Sequence, residues 1–419
     1  MSCVHQPITD QRALSLYRLY NPAILADPYP LYARLRTEDP VHWDPFLHAW
    51  VVTRYTDVVM VLQSFSAKCA PAPQKLEPMG LSTLDRIGQI MVLQHLFMDP
   101  PDHTRLRALC SQAFTPHRVE RLRARIQEIV NSLIEPHLPL GRIELMADLA
   151  NPLPAIVSAE ILGLPSSDHE KLKTWSTDFA EVLGNFQHNP DRTPRMSRSL
   201  DETTSYFREA IRRERHSPTG DSMINVLVHG NLDGRPLSEE MIIANCILLM
   251  VGAQETTPNL IGNGMLTLLR NPSELKRLQS DLSLLPSTIE EMLRFEAPSQ
   301  HTTRVATQDV MLEEKHISNG QSVIAVMGAA NRDPERFPDP DRFDITRRDN
   351  KHLAFGAGPH YCFGAPLGRM EANVAFRTLI ERISDFSLAS DRLVWRENTG
   401  LRGLTELPLS FTAEESPYR

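Results

Sequence analysis

The sequence predicts a mainly α fold with minor β, in one domain. Three observations predict it. Apolar residues recur at helical spacing over most of the chain, most persistently after Ser238. Runs rich in aromatic and β-branched residues are few and short. No Gly/Ser linker, repeat or low-complexity tract divides the 419 residues, and Pro outnumbers Gly by 32 to 19, so connectors should be rigid. The expected layout is a single domain over residues 1–419, with a small β-containing N-terminal lobe and a larger helical lobe.

Taken in order, Asp27-Pro28-Tyr29-Pro30 opens a helical pattern that runs through Leu35. Val41 to Trp43 and Ala49 to Thr53 read as two strands around a turn at Asp44-Pro45. From Thr104 to about His137 the pattern is helical, broken at Thr115-Pro116, and a helical reading continues through much of 142–215. A long helix starts after Ser238, with Glu239 and Glu240 at the positive end of its dipole. It runs to Arg270, where Asn271-Pro272 begins the next element. A shorter helix covers Leu285 to Phe295 and stops before Pro298. Val310 to Leu312 and Ser322 to Val326 read as strands, a Pro-rich stretch comes next, and a last long helix follows Pro366.

Composition narrows the function. Lys and Arg number 44 against 52 Asp and Glu, a formal charge of -8, which argues against a nucleic-acid partner. The five cysteines (Cys3, Cys69, Cys110, Cys246, Cys362) are odd in number, and no two stand at C-x-x-C spacing. That argues against a disulfide framework and a structural zinc site, and for a reducing compartment. The N-terminus lacks the basic start and apolar stretch of a secretory signal. The most apolar segment, Met241 to Ala253, contains Asn245 and is shorter than the roughly 18 residues a membrane span needs. A cytoplasmic protein without a membrane span is expected.

The densest chemistry lies at Phe355-Gly356-Ala357-Gly358-Pro359-His360-Tyr361-Cys362-Phe363-Gly364. Glycines permit unusual backbone angles and close approach of a flat ligand. Backbone N–H groups and the helix beginning near Ala365 would favour thiolate over thiol. A thiolate on a Gly-rich loop is what an axial haem iron ligand needs; a glycine turn with an inert buried cysteine is the plain alternative. The segment from Phe355 to Arg369 resembles the haem-binding loop of the cytochrome P-450 family, F-G-x-G-x-H-x-C-x-G with an Arg a few residues on. One departure is Gly368, where Ala is usual. The resemblance implies the P-450 fold, with haem b between the long central helix and the loop and helix of the cysteine ligand. Cys362 is then the metal ligand, and Phe355, Gly356, His360 and Gly364 shape the loop.

Three further segments carry the same resemblance. Glu291 and Arg294 sit three apart on a helix, alone an ordinary surface pair. Their distance from the cysteine loop resembles the family's E-x-x-R, a buried pair locked to an Arg of the Pro-rich segment. Arg342 is the expected third partner, ahead of Arg336. In Gly252-Ala253-Gln254-Glu255-Thr256-Thr257, polar residues interrupt an apolar run, and Glu255 and Thr256 resemble the family's acid–alcohol pair. The implied job is proton delivery to dioxygen through waters, Thr256 beside the oxygen and Glu255 feeding protons. Two departures stand here: Gly252-Ala253 reverses the usual order, and Pro258 removes the N–H that would bond the Gln254 carbonyl, so a kink is expected. Finally, His103 and Arg107, after Asp99-Pro100-Pro101, share a helical face. They resemble the family's propionate-binding H-x-x-x-R, with Arg304 and His360 as further propionate partners.

The resemblance implies a monooxygenase of the soluble bacterial kind, acting on O2 and a small-molecule substrate, with a separate ferredoxin-type electron donor and a monomeric state. It places substrate residues by region: 70–95, 175–195, the central helix (Ile243, Leu248, Val251, Gly252), Ser299 to Thr303 with His301 as a polar handle, and Leu401 to Leu404. Leu and Met dominate these regions, which favours a medium-to-large apolar secondary metabolite such as a polyketide or terpenoid. The basic run Arg105, Arg118, Arg121, Arg123 and Arg125 is a solvated face or the docking site of an acidic ferredoxin. Two rival readings stay open: peroxygenase or oxidative-coupling chemistry at the same haem, and a non-catalytic haem protein that binds ligands.

Overall fold

Through the middle of the molecule runs a helix of 32 residues, Glu239–Arg270, buried along almost its whole length. Ser238 caps it by accepting from the Met241 N–H at 3.2 Å. A helix apolar on all sides has to be surrounded. Helices Pro152–Leu162, His169–Gly184, Thr193–His216, Leu285–Phe295 and Ala365–Arg382 all pack on it. The structure is a computed structural model that describes residues 14–70, 85–185, 192–218 and 220–414. One apolar core lies between the central helix, Pro116–Ile134 and Ala365–Arg382; a second lies under His169–Gly184 and Thr193–His216. His169–Gly184 forms a roof over the central helix.

The strands predicted near the N-terminus form as Val41–Asp44 and Ala49–Val52. The β lobe is not N-terminal alone, however. Its four-stranded sheet runs Val41–Asp44, Ala49–Val52, Ser322–Ala325, Thr302–Val305, so half of it comes from the other end of the chain. The helix break at Thr115-Pro116 is an N-cap: the Thr115 hydroxyl accepts from Arg118 N–H, and Pro116 takes the first helical position. One expectation needs correction. Within 142–215, Arg142–Glu144 is a strand, paired antiparallel with Pro408–Ala413. Its conformation is set by a partner far along the chain, which local periodicity does not see.

Glu291 and Arg294 are fully buried and joined by two hydrogen bonds of 2.7 and 2.8 Å. Arg294 also donates to the carbonyls of Asn331, Pro340 and Arg342. The expected third side chain is corrected here. Arg342 contributes its carbonyl alone, and its side chain is exposed. Arg336 pairs with Asp349 at 2.7 Å. The guanidinium on Glu291 belongs to Arg347, at 3.2 Å, joined by the Asn350 amide at 3.0 Å. The reason is the path of the loop. The Asp344 N–H binds Glu291 at 3.0 Å, which brings the chain over the carboxylate just before Arg347.

This assignment is testable by urea unfolding. Arg347→Ala should cost about 3–5 kcal/mol, the usual effect of leaving one buried charge unpaired. Arg342→Ala should cost no more than about 0.5 kcal/mol, as for an exposed side chain. The reverse ranking would restore Arg342.

Candidate active site

The cysteine loop is held by its backbone. Cys362 N–H donates to the Phe355 carbonyl at 2.9 Å, and Gly356 N–H to Leu353 at 2.8 Å. Gly356 and Gly358 take φ of +73° and +70°, the left-handed region that L side chains avoid. At Gly358 a Cβ would also come within 3.0 Å of Gln63 Cα. Cys362 has accessible surface, but that surface faces an internal cavity, and atoms crowd the sulfur as in an interior. Burial pushes the thiol up, against the N–H groups of Gly364 and Ala365 and the charge of Arg107. The loop therefore does not by itself favour thiolate; a bound metal has to draw the proton off.

The cavity holds about 1470 Å³, mouth included, and Cys362, Phe355, Gly356, His360, Gly364, Arg107 and Arg304 all line it. His103 lies beside it, its ring 4.0 Å from that of His360. Both His103 ring nitrogens and Arg304 Nε are buried without a partner among the described residues. Burial, then the charges of His103 and Arg304, pushes His360 down to about 3. A rim of buried donors around a flat space with an exposed sulfur fits a planar macrocycle that carries carboxylates and a metal. Phe355 and Phe363 brace the loop, with Arg369 4.5 Å over the first ring and Arg107 5.3 Å over the second.

On the opposite wall, Gly252, Ala253, Thr256 and Thr257 of the central helix face the same cavity. A Cβ on Gly252 would meet nothing within 4 Å. Thr256 donates its hydroxyl to the Gly252 carbonyl at 2.9 Å. Glu255 does not line the cavity. It is fully buried and ion-paired with Lys173 and Arg396, both at 2.7 Å, and accepts from the Ser176 and Thr177 hydroxyls. Burial would raise its carboxyl; Lys173 and Arg396 overrule it and hold the group below the usual range. Lys173 Nζ also reaches the Gln254 carbonyl at 2.7 Å, the group that Pro258 leaves without its helical donor. The helix accordingly continues unbroken through Pro258.

The family profile of Cytochrome P450 matches residues 168–404. The chain is 40% identical to the cytochrome P450 monooxygenase PikC of Streptomyces venezuelae, over 92% of this chain and 91% of PikC. It superposes with a TM-score of 0.86 on P450BioI bound to a hexadec-9Z-enoic acid-ligated acyl carrier protein, at 36% identity, covering 93% of this chain and 99% of that one. The myxobacterial P450 CYP267B1, in complex with myristic acid, gives 0.86 at 38% identity, covering 94% and 98%. The chain belongs to the cytochrome P450 family. It is a monooxygenase of that family, and its cofactor is haem b with cysteine-thiolate ligation. Among the described residues no helix is long and apolar enough to cross a membrane.

The predicted substrate residues of this P450 divide. Leu248 and Gly252 line the main cavity, as do Pro298, Ser299 and Thr302. Val251 lines a smaller neighbouring void. Ile243 is buried in the core under the roof helix and reaches neither void. Leu401 packs on that core and bridges to Ser299. His301 is corrected: it tucks under the C-terminal turn, against the Thr399 backbone and Gly400, away from both voids. Residues 71–84 and 186–191 of the predicted substrate regions lie outside the described residues.

Sequence reasoning missed Lys173, Arg396 and Glu371. The first had a signal, because the carbonyl orphaned by Pro258 required a donor. Glu371 had one too: it falls on the apolar stripe Leu367, Val374, Thr378 of its helix. Glu371 is buried, lines the cavity and has the Thr257 hydroxyl as partner. Burial, resisted by that hydroxyl, pushes its carboxyl from 4.5 up to about 8.

The sign of the stability effect follows. Between those two pH values the folded protein keeps a proton that the unfolded chain has released, so Glu371 lowers stability as pH rises and levels off above about 8. Glu371→Gln abolishes this. Its melting temperature relative to wild type should climb by a few degrees from pH 5 to pH 8. A difference independent of pH would mean that the buried group titrates normally.

Proposed function

We propose that this P450 inserts one oxygen atom of O2 into a C–H bond, or across an alkene, of a medium-to-large apolar secondary metabolite of polyketide or terpenoid type. Cys362 is the iron ligand, and electrons come from a separate ferredoxin and its reductase. The observation that carries the reading is one cavity with the Cys362 sulfur on one wall and the Thr256 hydroxyl on the other. Its remaining surface is mostly apolar, including Leu248, Leu249, Leu260, Leu293 and Met327, with Ser299 and Thr302 as polar exceptions. Such walls exclude water and favour an apolar guest. That two similar P450 structures bind long acyl groups is in keeping with this.

When bound, haem supplies dioxygen activation and the oxidation itself. The chain supplies the surroundings. His103, Arg107, Arg304 and His360 hold the propionates. Thr256 Oγ1, fixed by the Gly252 carbonyl, holds or relays a proton on the cavity side. Glu255 is a positioning residue: ionised between two cations, it anchors the helix segment that presents Thr256. Glu291, Arg294 and Arg347 support the cysteine side. The arginine run suggested as a ferredoxin landing site is already paired internally: Arg105 with Asp233, Arg118 and Arg121 with Asp221, Arg123 with Glu120, Arg125 with Glu160. Charge therefore contributes less to docking there than the sequence implied. The working state is a cytoplasmic monomer.

Two measurements test this. Dithionite-reduced protein with carbon monoxide should give a Soret band at the red-shifted thiolate position, and Cys362→Ser should lose it with unchanged far-UV circular dichroism. A band that survives in Cys362→Ser assigns the ligand elsewhere. With ferredoxin, reductase and a turned-over substrate, Thr256→Ala should keep consuming NADH while product formation falls by about 10²-fold, the low end of a general-acid contribution. Unchanged coupling would remove Thr256 from proton handling.

A further inference from the structure

Beside the main cavity lies a second void, between the helix Asp85–Met91, the roof helix and the central helix. Leu248 stands in the walls of both. Ile87, Ile90, Phe179, Leu183 and Val251 make this void apolar. Its one polar side chain among the described residues is Gln94, which is 3% exposed. Free space at the centre is about 10 Å³, room for one water-sized group.

Gln94 is held with one atom to spare. Its Nε2 donates to the Ala244 carbonyl at 3.1 Å, which fixes the orientation of the amide. Its own N–H and C=O are used within the turn, by Met91 O and Phe97 N. The neighbouring backbone is pinned to the central helix: Asn245 accepts from His95 N–H and donates to the Leu93 carbonyl at 2.9 Å. What remains is Gln94 Oε1, buried and without a hydrogen-bond partner. A buried acceptor left unpaired is costly unless something donates to it. The rigid attachment means it waits for a donor and does not turn to find one.

We infer that this void is a substrate subsite, in which Gln94 Oε1 accepts a hydrogen bond from a hydroxyl at the end of the substrate remote from Cys362. The inference deepens the proposed function and rests on it. It narrows the substrate to apolar molecules long enough to pass Leu248 and carrying one O–H donor at the far end. A methyl in the same place would leave Oε1 unpaired.

Probes with a fixed end test it. Alkyl imidazoles bind haem iron through the ring nitrogen and shift the Soret band, so the chain end points away from Cys362. The haem-loaded enzyme is titrated with 1-alkylimidazoles and with ω-hydroxyalkyl imidazoles of equal heavy-atom count, from eight to fourteen chain atoms. At one chain length, the ratio of the two dissociation constants should favour the hydroxyl in wild type. It should lose about fivefold in both Gln94→Leu and Gln94→Met, the effect of one neutral hydrogen bond. Gln94→Met keeps the side-chain volume nearly constant, and the reduced-CO band checks that each variant is loaded. Ratios unchanged by both variants at every length would overturn the subsite and leave the haem reading standing. No Soret shift with any imidazole would overturn the haem reading, and the subsite with it.

Discussion

A charge buried in the middle of an apolar helix constrains the whole assembly. Glu255 has no exposure, and an unpaired carboxylate there would be prohibitively costly. The charge is met by Lys173 from the roof helix and Arg396 from the C-terminal loop, so three distant segments converge on it. Lys173 closes a second gap with the same atom, the Gln254 carbonyl freed by Pro258. Successive residues on a helix point roughly 100° apart. Anchoring Glu255 outward therefore turns Thr256 into the cavity. The acid and the alcohol, adjacent in sequence, end up with different neighbours and different work.

The cysteine side is organised by the same solution used twice. Glu291 holds Arg294 and Arg347; next to it Glu290 holds Arg369 and His352. Arg369 and His352 keep the Glu290 carboxyl low, at about 2, although burial alone would raise it. From Arg294 a chain of hydrogen bonds reaches the ligand loop. Arg294 donates to the Asn331 carbonyl, the Asn331 side chain accepts from Leu353 N–H, and Phe355, two residues on, accepts from Cys362 N–H. Buried ion pairs bring little net stability once desolvation is counted. Their value here is position: they fix where the sulfur sits.

Features written locally were legible in the sequence. The central helix begins at its Ser238 cap and ends at Arg270, and Leu285–Phe295 has the bounds its Pro residues imply. The cysteine loop was readable because its geometry comes from glycines within a few residues of Cys362. What was not legible depends on partners far away. Arg142–Glu144 is a strand because of Pro408–Ala413. Arg347 completes the buried network because the loop after Phe337 doubles back over Glu291, a path that motif spacing does not encode. His301 carries the right chemistry for a substrate handle but turns into the C-terminal loop. The residue type was visible; its direction was not.

Polar groups around the cavity share one design. Thr256 gives its hydroxyl hydrogen to the Gly252 carbonyl, Gln94 gives an amide hydrogen to Ala244, and Arg304 gives one to Thr303. Each is tied to a backbone carbonyl, so its rotamer is settled before any guest arrives. Each also keeps something back: the Thr256 lone pairs, Gln94 Oε1 and Arg304 Nε, the last two buried without partners. An untethered polar side chain in an apolar cavity would satisfy itself on the nearest backbone and offer nothing. A tethered one cannot, so the cost of its open valence is borne by the folded protein and recovered when a complementary guest binds. Walls of Leu, Ile and Phe give such a cavity affinity for many apolar molecules. Selectivity among them has to come from those few fixed atoms, because an unmet hydrogen bond discriminates more sharply than a missing methylene.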